Sequence, residues 1–281
     1  MSRKPTIALV GAGRVAQALG PALHQAGYRI LEVVARDRTA SRARARRLAR
    51  RVGARARTLA DARLDADLVW LLVPDAAIAA CARELARRTD WRGKIALHSS
   101  GALSSDRLAP LRRRGAAVAS CHPLMTFVGG RSPSLRGVPF APEGDAAAVR
   151  AGRRMVHDLG GYTLLIRKGS KPLYHAWGMF TSPLLVATLA LGERVGRKAG
   201  VPDARRAAEP TIRQMLKNYL AGGAAAAFSG PLVRGDLATV RANLRALRSV
   251  PEARSAYLAL ARAALRHLPA RNRRELARLL R

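Results

Sequence analysis

Cysteine is nearly missing from this chain of 281 residues, which has only Cys81 and Cys121. Neither has a CxxC or zinc-ligand spacing, so a disulfide framework is excluded and both read as small apolar side chains. No other grouping of His, Cys, Asp and Glu has metal-ligand spacing, so no metal is expected. Aromatic residues make up only 4 % of the chain, too few for a stacking platform of the kind that single-stranded nucleic acids need. No run reaches the roughly 18 apolar residues of a membrane span, so no membrane partner is expected. The opening residues, MSRKPTIALVG, lead into a strand with no room for a secretory leader, and the expected location is cytoplasmic. Disorder is excluded by a hydrophobic content of 49 %.

Acidic residues are also scarce, 18 against 51 basic ones, for a net charge of +33. Lysine stands only at positions 4, 94, 168, 171, 198 and 217, so the charge is overwhelmingly arginine. One reading is a polyanion binder. The reading favoured here is a chain biased throughout toward Ala and Arg, with guanidinium groups scattered over solvated helix faces. It leaves nonspecific adhesion to nucleic acid open.

Against this background one stretch carries a defined chemistry. Thr6–Ala16, TIALVGAGRVA, is an apolar strand that breaks at Gly11 and restarts as a helix near Arg14. The spacing is Gly11-x-Gly13-x-x-Ala16. Gly11 permits a tight turn, Gly13 lets backbone approach a pyrophosphate, and Ala16 lets helix pack closely on strand. The helix start directs free N–H groups and a positive dipole end at the phosphates. Gly11, Ala12, Gly13, Arg14 and Val15 are therefore the expected dinucleotide contacts. The second strand, Arg29–Ala35, ends at Ala35-Arg36 where an NAD site would place a carboxylate. Arg36, Arg38 and Ser41 suit a 2′-phosphate instead, so NADP is expected over NAD, while Asp37 keeps NAD as the alternative. A later apolar strand, Asp67–Val73, ends at Val73-Pro74, expected to wall the nicotinamide end; Asp75 reads as a helix cap.

Strand and helix alternate to about residue 168, which predicts an α/β Rossmann domain with a mostly parallel sheet over 1–168. His122 falls in a His-Pro turn after a strand at Ala116–Ala119. From 169 to 281 no strand is expected, and the pattern predicts an all-α domain. Its first helix runs from Lys171 to Gly200 with a kink at Pro183. A polar turn, Ser229–Asp236, interrupts the helices.

Six segments, GAGRVAQAL (11–19), VPD (73–75), HSSGALS (98–104), CHPLMTF (121–127), KPLYHA (171–176) and SGPLVRGD (229–236), occur in order and span nearly the whole chain. With them the chain resembles the DUF2520 family, a Rossmann-like half followed by the DUF2520 domain. That family is similar to a superfamily holding 6-phosphogluconate and 3-hydroxyisobutyrate dehydrogenases, ketopantoate reductase and pyrroline-5-carboxylate reductase. The resemblance implies hydride transfer between NAD(P) and a small acid at an interdomain cleft, and a homodimer formed through the helical domain.

Reducing a carbonyl needs a proton donor and a cation for the substrate's carboxylate. Lys171 is the expected donor, with His175 one helical turn on. Several of the named dehydrogenases pair a catalytic lysine with an asparagine four residues later; here His175 stands in that place, and either residue can give the proton. Ser99, Ser100 and Gly101 resemble that superfamily's small-residue substrate loop, and their alternative reading is a helix cap. His122 and Tyr174 are further substrate candidates, each with a supporting or packing role as the alternative. Arg234 offers a bidentate cation, with Asp236 beside it, unless the two form a structural Arg–Asp turn. The family often has asparagine where this chain has Pro183. The expected activity is NADP-dependent reduction of a ketopantoate-like 2-oxo acid or an imino acid. A non-catalytic NADP sensor or an anion- or nucleic-acid-binding protein is the alternative.

Overall fold

The order of strands across the sheet follows from how the apolar segments are buried. In a computed structural model, which describes residues 3–129 and 132–281, the chain divides into two units, 1–179 and 180–281.

The first unit holds β1 (Ile7–Val10), α1 (Arg14–Gln25), β2 (Ile30–Ala35), α2 (Thr39–Arg51), β3 (Arg55–Thr58), β4 (Leu68–Leu71), α3 (Asp75–Leu85) and β5 (Ile95–His98). It continues through a 3₁₀ turn (Ser105–Leu108), α4 (Ala109–Arg112), β6 (Ala117–Pro123), β7 (Pro139–Gly144), α5 (Ala146–Asp158), β8 (Tyr162–Thr163) and all but the last two residues of α6 (Lys171–Thr181). The sheet order is β3-β2-β1-β4-β5-β6-β7-β8. All pairs are parallel except the antiparallel β6–β7 pair. β1 and β4 are buried along their whole length, as expected of strands covered by helices on both faces. Two apolar clusters form the core. One includes Leu9, Trp70 and Phe140; the other includes Val10, Leu71 and Trp91.

Local chemistry shapes the helices. α2 carries only Ser41, Ala45, Leu48 and Ala49 inward, a narrow stripe that leaves its arginines outside. Pro21 lies inside α1 and has no N–H to give Gln17. The Gln17 carbonyl accepts instead from the Ser132 hydroxyl at 3.1 Å.

Two expectations are corrected here. β6 runs on to Pro123 and pairs His122 with Ala141 of β7, so His122 lies in a strand and not in a turn after one. Antiparallel pairing with β7 prolongs the strand. The single helix expected over 171–200 is two, because Ser182, with φ −136° and ψ −86°, breaks it before Pro183. A residue preceding proline is pushed out of helical conformation.

The second unit holds α7 (Pro183–Lys198), α8 (Ala204–Ala227), α9 (Pro231–Arg234), α10 (Leu237–Ala246), α11 (Pro251–His267) and α12 (Arg273–Leu279). It has no strand among the described residues. Its core is small: Val240, Leu244, Ala261, Leu265, Leu276 and Leu280. The stretch read as a polar turn, Ser229–Asp236, contains the one-turn helix α9.

Candidate active site

The strand order reverses direction at β1, and a cleft of about 520 Å³ opens beyond the carboxyl ends of β1, β2 and β4. This is the position where open α/β sheets take ligands. Its walls include Gly11, Ala12, Gly13 and Arg14 on one side, Arg36, Ser41 and Arg44 on another, and Val73 and Pro74 on a third. Gly11 has φ +115°, and a Cβ there would sit 2.3 Å from the Leu72 carbonyl oxygen, so only glycine allows this turn. A Cβ at Gly13 would meet nothing within 4 Å. Gly13 is also the N-cap of α1 and supplies no side-chain cap, and the first turn holds no acidic residue. The leading N–H groups of α1 are thus left for an anion.

Of the residues expected at a dinucleotide, Val15 and Arg38 do not line the cleft. Val15 is half-buried against the core beneath it. Arg38 is the extended N-cap residue of α2 and is exposed. Asp37 pairs with Arg42. Arg44 was not anticipated; it lies three residues after Ser41 on the same helix and donates to the Ser41 hydroxyl at 3.3 Å. The i, i+3 spacing from Ser41 was the signal available in the sequence.

A second group of polar residues gathers where β5, β6 and the start of α6 meet. Lys171 is fully buried. Its ammonium donates to the Ser100 carbonyl at 2.9 Å and to the Ser120 hydroxyl at 2.7 Å. Burial pulls its pKa below the usual lysine range, opposed by the charges of Glu143, Cys121 and Asp75. His175, one turn further on, is exposed. The two residues expected to act as a pair therefore have different surroundings: Lys171 braces the loop from inside while His175 lies at the surface.

The loop after β5 is internally committed. The Ser99 hydroxyl accepts from the Trp70 indole at 2.9 Å and donates to the Cys121 carbonyl at 3.2 Å. The Ser100 hydroxyl donates to Asp75 at 2.7 Å and accepts from the Leu103 N–H at 2.9 Å. Both hydroxyls are engaged within the fold, and Asp75 ties the cleft's rim to this loop. His98, fully buried, accepts the Ser100 N–H on Nδ1 at 3.1 Å. Its proton is thereby placed on Nε2, 3.1 Å from the Ser104 carbonyl. Burial lowers the His98 pKa to about 4. Neither His98 nor Ser120 was singled out in the sequence, because their contacts come from β5, β6 and α6 meeting in space.

His122 and Tyr174 close the group. The Tyr174 oxygen is 2.9 Å from His122 Nδ1, and the two rings meet edge-on at 87°. A Cβ on Gly101 would lie 2.9 Å from His122 Nε2 and 3.0 Å from His175 Cδ2. Gly101 is thus the platform on which both imidazoles rest. Burial, with the nearby charges of Lys171, His175 and His98, lowers the His122 pKa to about 4.

Arg234 and Asp236 belong to the second unit. Arg234 is exposed at the end of α9. Asp236 caps α10, accepting from the Thr239 N–H at 3.0 Å and from its hydroxyl at 2.6 Å. No cluster of three or more His, Cys, Asp or Glu fit to hold a metal occurs among the described residues.

Family comparison agrees with this architecture. The Rossmann-like domain family matches residues 2–123, and the Domain of unknown function DUF2520 matches residues 138–264. No curated protein matches the chain. Among solved structures, a Bacteroides fragilis protein described as a candidate NADP oxidoreductase aligns with TM-score 0.77 at 23 % identity, covering 92 % of this chain and 97 % of the other. A Thermotoga maritima protein aligns with TM-score 0.74 at 22 % identity, covering 97 % and 98 %. An imine reductase from Myxococcus stipitatus, solved with NADP+, aligns with TM-score 0.67 at 19 % identity, covering 99 % and 100 %. At these identities the likeness speaks for the fold. Together the two matches run through most of the chain, a Rossmann-like domain followed by a DUF2520 domain.

Proposed function

We propose that this protein is an NADP-dependent oxidoreductase that reduces a small 2-oxo acid or imino acid. The observation that carries the reading is a single cleft shared by the glycine turn, the free N–H groups of α1 and two guanidinium groups, Arg36 and Arg44. In this reading α1 holds the pyrophosphate, and Arg36 and Arg44 with Ser41 hold a 2′-phosphate. Asp37, the one carboxylate placed to favour a ribose hydroxyl, is turned onto Arg42, which supports NADP over NAD. The fold neighbours described as an NADP oxidoreductase and as an imine reductase are consistent with it.

A reduced nicotinamide bound in the cleft supplies the hydride. The chain's own residues hold the substrate end and move the proton. Lys171 fixes the Ser100 carbonyl and sets a buried positive charge behind the loop, which favours negative charge developing in front of it. His175 and His122 present imidazoles over Gly101, where a proton donor is needed.

Titration with NADPH and NADH, followed by nicotinamide fluorescence at moderate salt, tests the reading. Tight NADPH binding with NADH at least about tenfold weaker is expected, since each charge-assisted hydrogen bond to the phosphate contributes on the order of 1.5–3 kcal/mol. Binding of neither would overturn it. The alternative, an NADP sensor or polyanion binder without turnover, rests on the net charge of +33; NADPH oxidation in the presence of an oxo or imino acid would exclude it.

We further infer that the second unit pairs with a second copy of the chain. α7 buries none of its residues and α8 only Ala204, although both carry apolar side chains such as Val186, Leu216, Tyr219 and Leu220 at the surface.

A further inference from the structure

The contact between Tyr174 and His122 has a direction that the chemistry of its atoms determines. Tyr174 is 7 % exposed, and His122 is the one side-chain partner its hydroxyl has among the described residues. If His122 carried its proton on Nδ1 and donated it, the phenolic hydrogen would be left without a protein acceptor in a nearly dry place, an unfavourable arrangement. If the phenol donates to Nδ1, that bond is satisfied and the imidazole proton stands on Nε2. Nε2 is the edge turned toward Gly101, beside the His175 ring. The opposite arrangement would put a lone pair there, with no proton to give.

We propose that Tyr174 and His122 form a two-step proton relay that ends on His122 Nε2 and protonates the substrate atom that gains electrons during reduction. The proposal rests on the reductase reading and names the donor within it. As hydride from the reduced nicotinamide forms a C–H bond at the carbonyl carbon, the C=O π pair moves to oxygen. That oxygen takes the Nε2 proton and Nδ1 takes the phenolic proton; a solvent proton then returns to Nε2 as Nδ1 gives its proton back to the phenolate, which restores the starting tautomer. His122 begins and ends neutral. Tyr174 acts through His122 and is a positioning and relay residue; His122 is the catalytic one.

The electrostatic setting suits a relay better than a charged donor. Lys171 on α6, His175 on the same helix and His98 on β5 all disfavour an imidazolium at His122, and burial holds its pKa near about 4. Near neutrality the ring therefore has a proton to pass only if another group replaces it. Burial raises the Tyr174 phenol to about 12, still far more acidic than the alcohol being formed, so transfer runs toward product. An imine that enters already protonated has no need of this device, so the relay favours a carbonyl substrate.

The tautomer can be read in the unloaded protein. In 15N-histidine-labelled wild type, with the His122 signals identified by their loss in His122→Gln, the relay requires an Nε2–H imidazole with an accepting Nδ1 that stays neutral down to about pH 4. An Nδ1–H tautomer overturns it. In the second arm, Tyr174→Phe should lower kcat about 100-fold while leaving the Kd for NADPH unchanged. A variant with kcat within twofold of wild type overturns it as well. A wild type that oxidises no NADPH with any oxo or imino acid sinks the reductase reading and the relay together, and turnover of imino acids alone sinks only the relay. Turnover with either of the two adverse results sinks the relay alone.

Discussion

The two units of the chain satisfy their apolar residues in different ways. In the first, β1 and β4 are sealed on both faces and the helices contribute narrow apolar stripes to two cores. In the second, a core of six buried residues serves α10, α11 and α12, while α7 and α8 remain almost unburied. Both units come from the same Ala- and Arg-rich composition. A parallel sheet needs helices on both faces and so completes itself within one chain. A set of long helices needs other helices, and in this unit much of the apolar surface of α7 and α8 is uncovered. In the proposed reading, chemistry falls to the self-contained unit and assembly to the other.

The largest expected effect breaks the second half of that comparison. Val186→Asp with Leu220→Asp places charges on the exposed faces of α7 and α8. Light scattering coupled to gel filtration should show wild type as a dimer and the variant as a monomer. A wild-type monomer would remove the proposed role of these helices.

Next in size is Lys171→Ala. It deletes a fully buried side chain and removes the ammonium that donates to the Ser100 carbonyl and the Ser120 hydroxyl, leaving the carbonyl only its bond from Ser120. Urea denaturation should show a loss of about 3–5 kcal/mol. Turnover should fall strongly with NADPH affinity spared, because the residue does not line the dinucleotide cleft.

The third prediction concerns acid. The unfolded chain protonates His98 near pH 6.5, and the folded chain only near about pH 4. Between these values the unfolded state binds more protons, so stability falls as pH drops through that window. It is fully present above about 6.5 and the loss is complete below about 4, amounting to about 3 kcal/mol for this group. Urea midpoints at pH 7 and pH 4.5 should differ in that sense, with His122 adding a loss of the same sign, and His98→Gln should shrink the difference.

The smallest effect sharpens the cofactor side. Arg36→Ala and Arg44→Ala should each weaken NADPH about 10- to 100-fold, equivalent to about 1.4–2.8 kcal/mol, and leave NADH nearly unchanged. Fluorescence titration gives both numbers. Equal losses for the two cofactors would place the arginines elsewhere than at a 2′-phosphate.

Local sequence determined a good deal of this protein. The run Ile7–Val10 followed by Gly11, Gly13 and Ala16 dictated a strand, a turn and a helix, because those steric requirements are met within ten residues. The continuous apolar run at 67–73 announced a doubly covered strand for the same reason. The cleft residues Gly11–Arg14, Val73 and Pro74 were legible because they adjoin these elements in sequence, and Arg36 and Ser41 because a strand end has a fixed place in such a sheet. Arg44 needed the helical phase of α2 to bring it back to the cleft.

Tertiary structure alone decided the rest. That Lys171 points inward and His175 outward is not contained in their spacing, which places them on one face of one helix. It follows from Ser100, in the loop after β5, and Ser120, on β6, offering oxygens at a point where an ammonium can be buried and bonded. The serines expected to meet substrate are engaged because Trp70 and Asp75 come from β4 and α3 to claim them. His122 finds Tyr174 across 52 residues. Hydrogen bonds of this kind depend on distances of a few tenths of an ångström between chain segments, and the sequence near each residue holds no record of its partner.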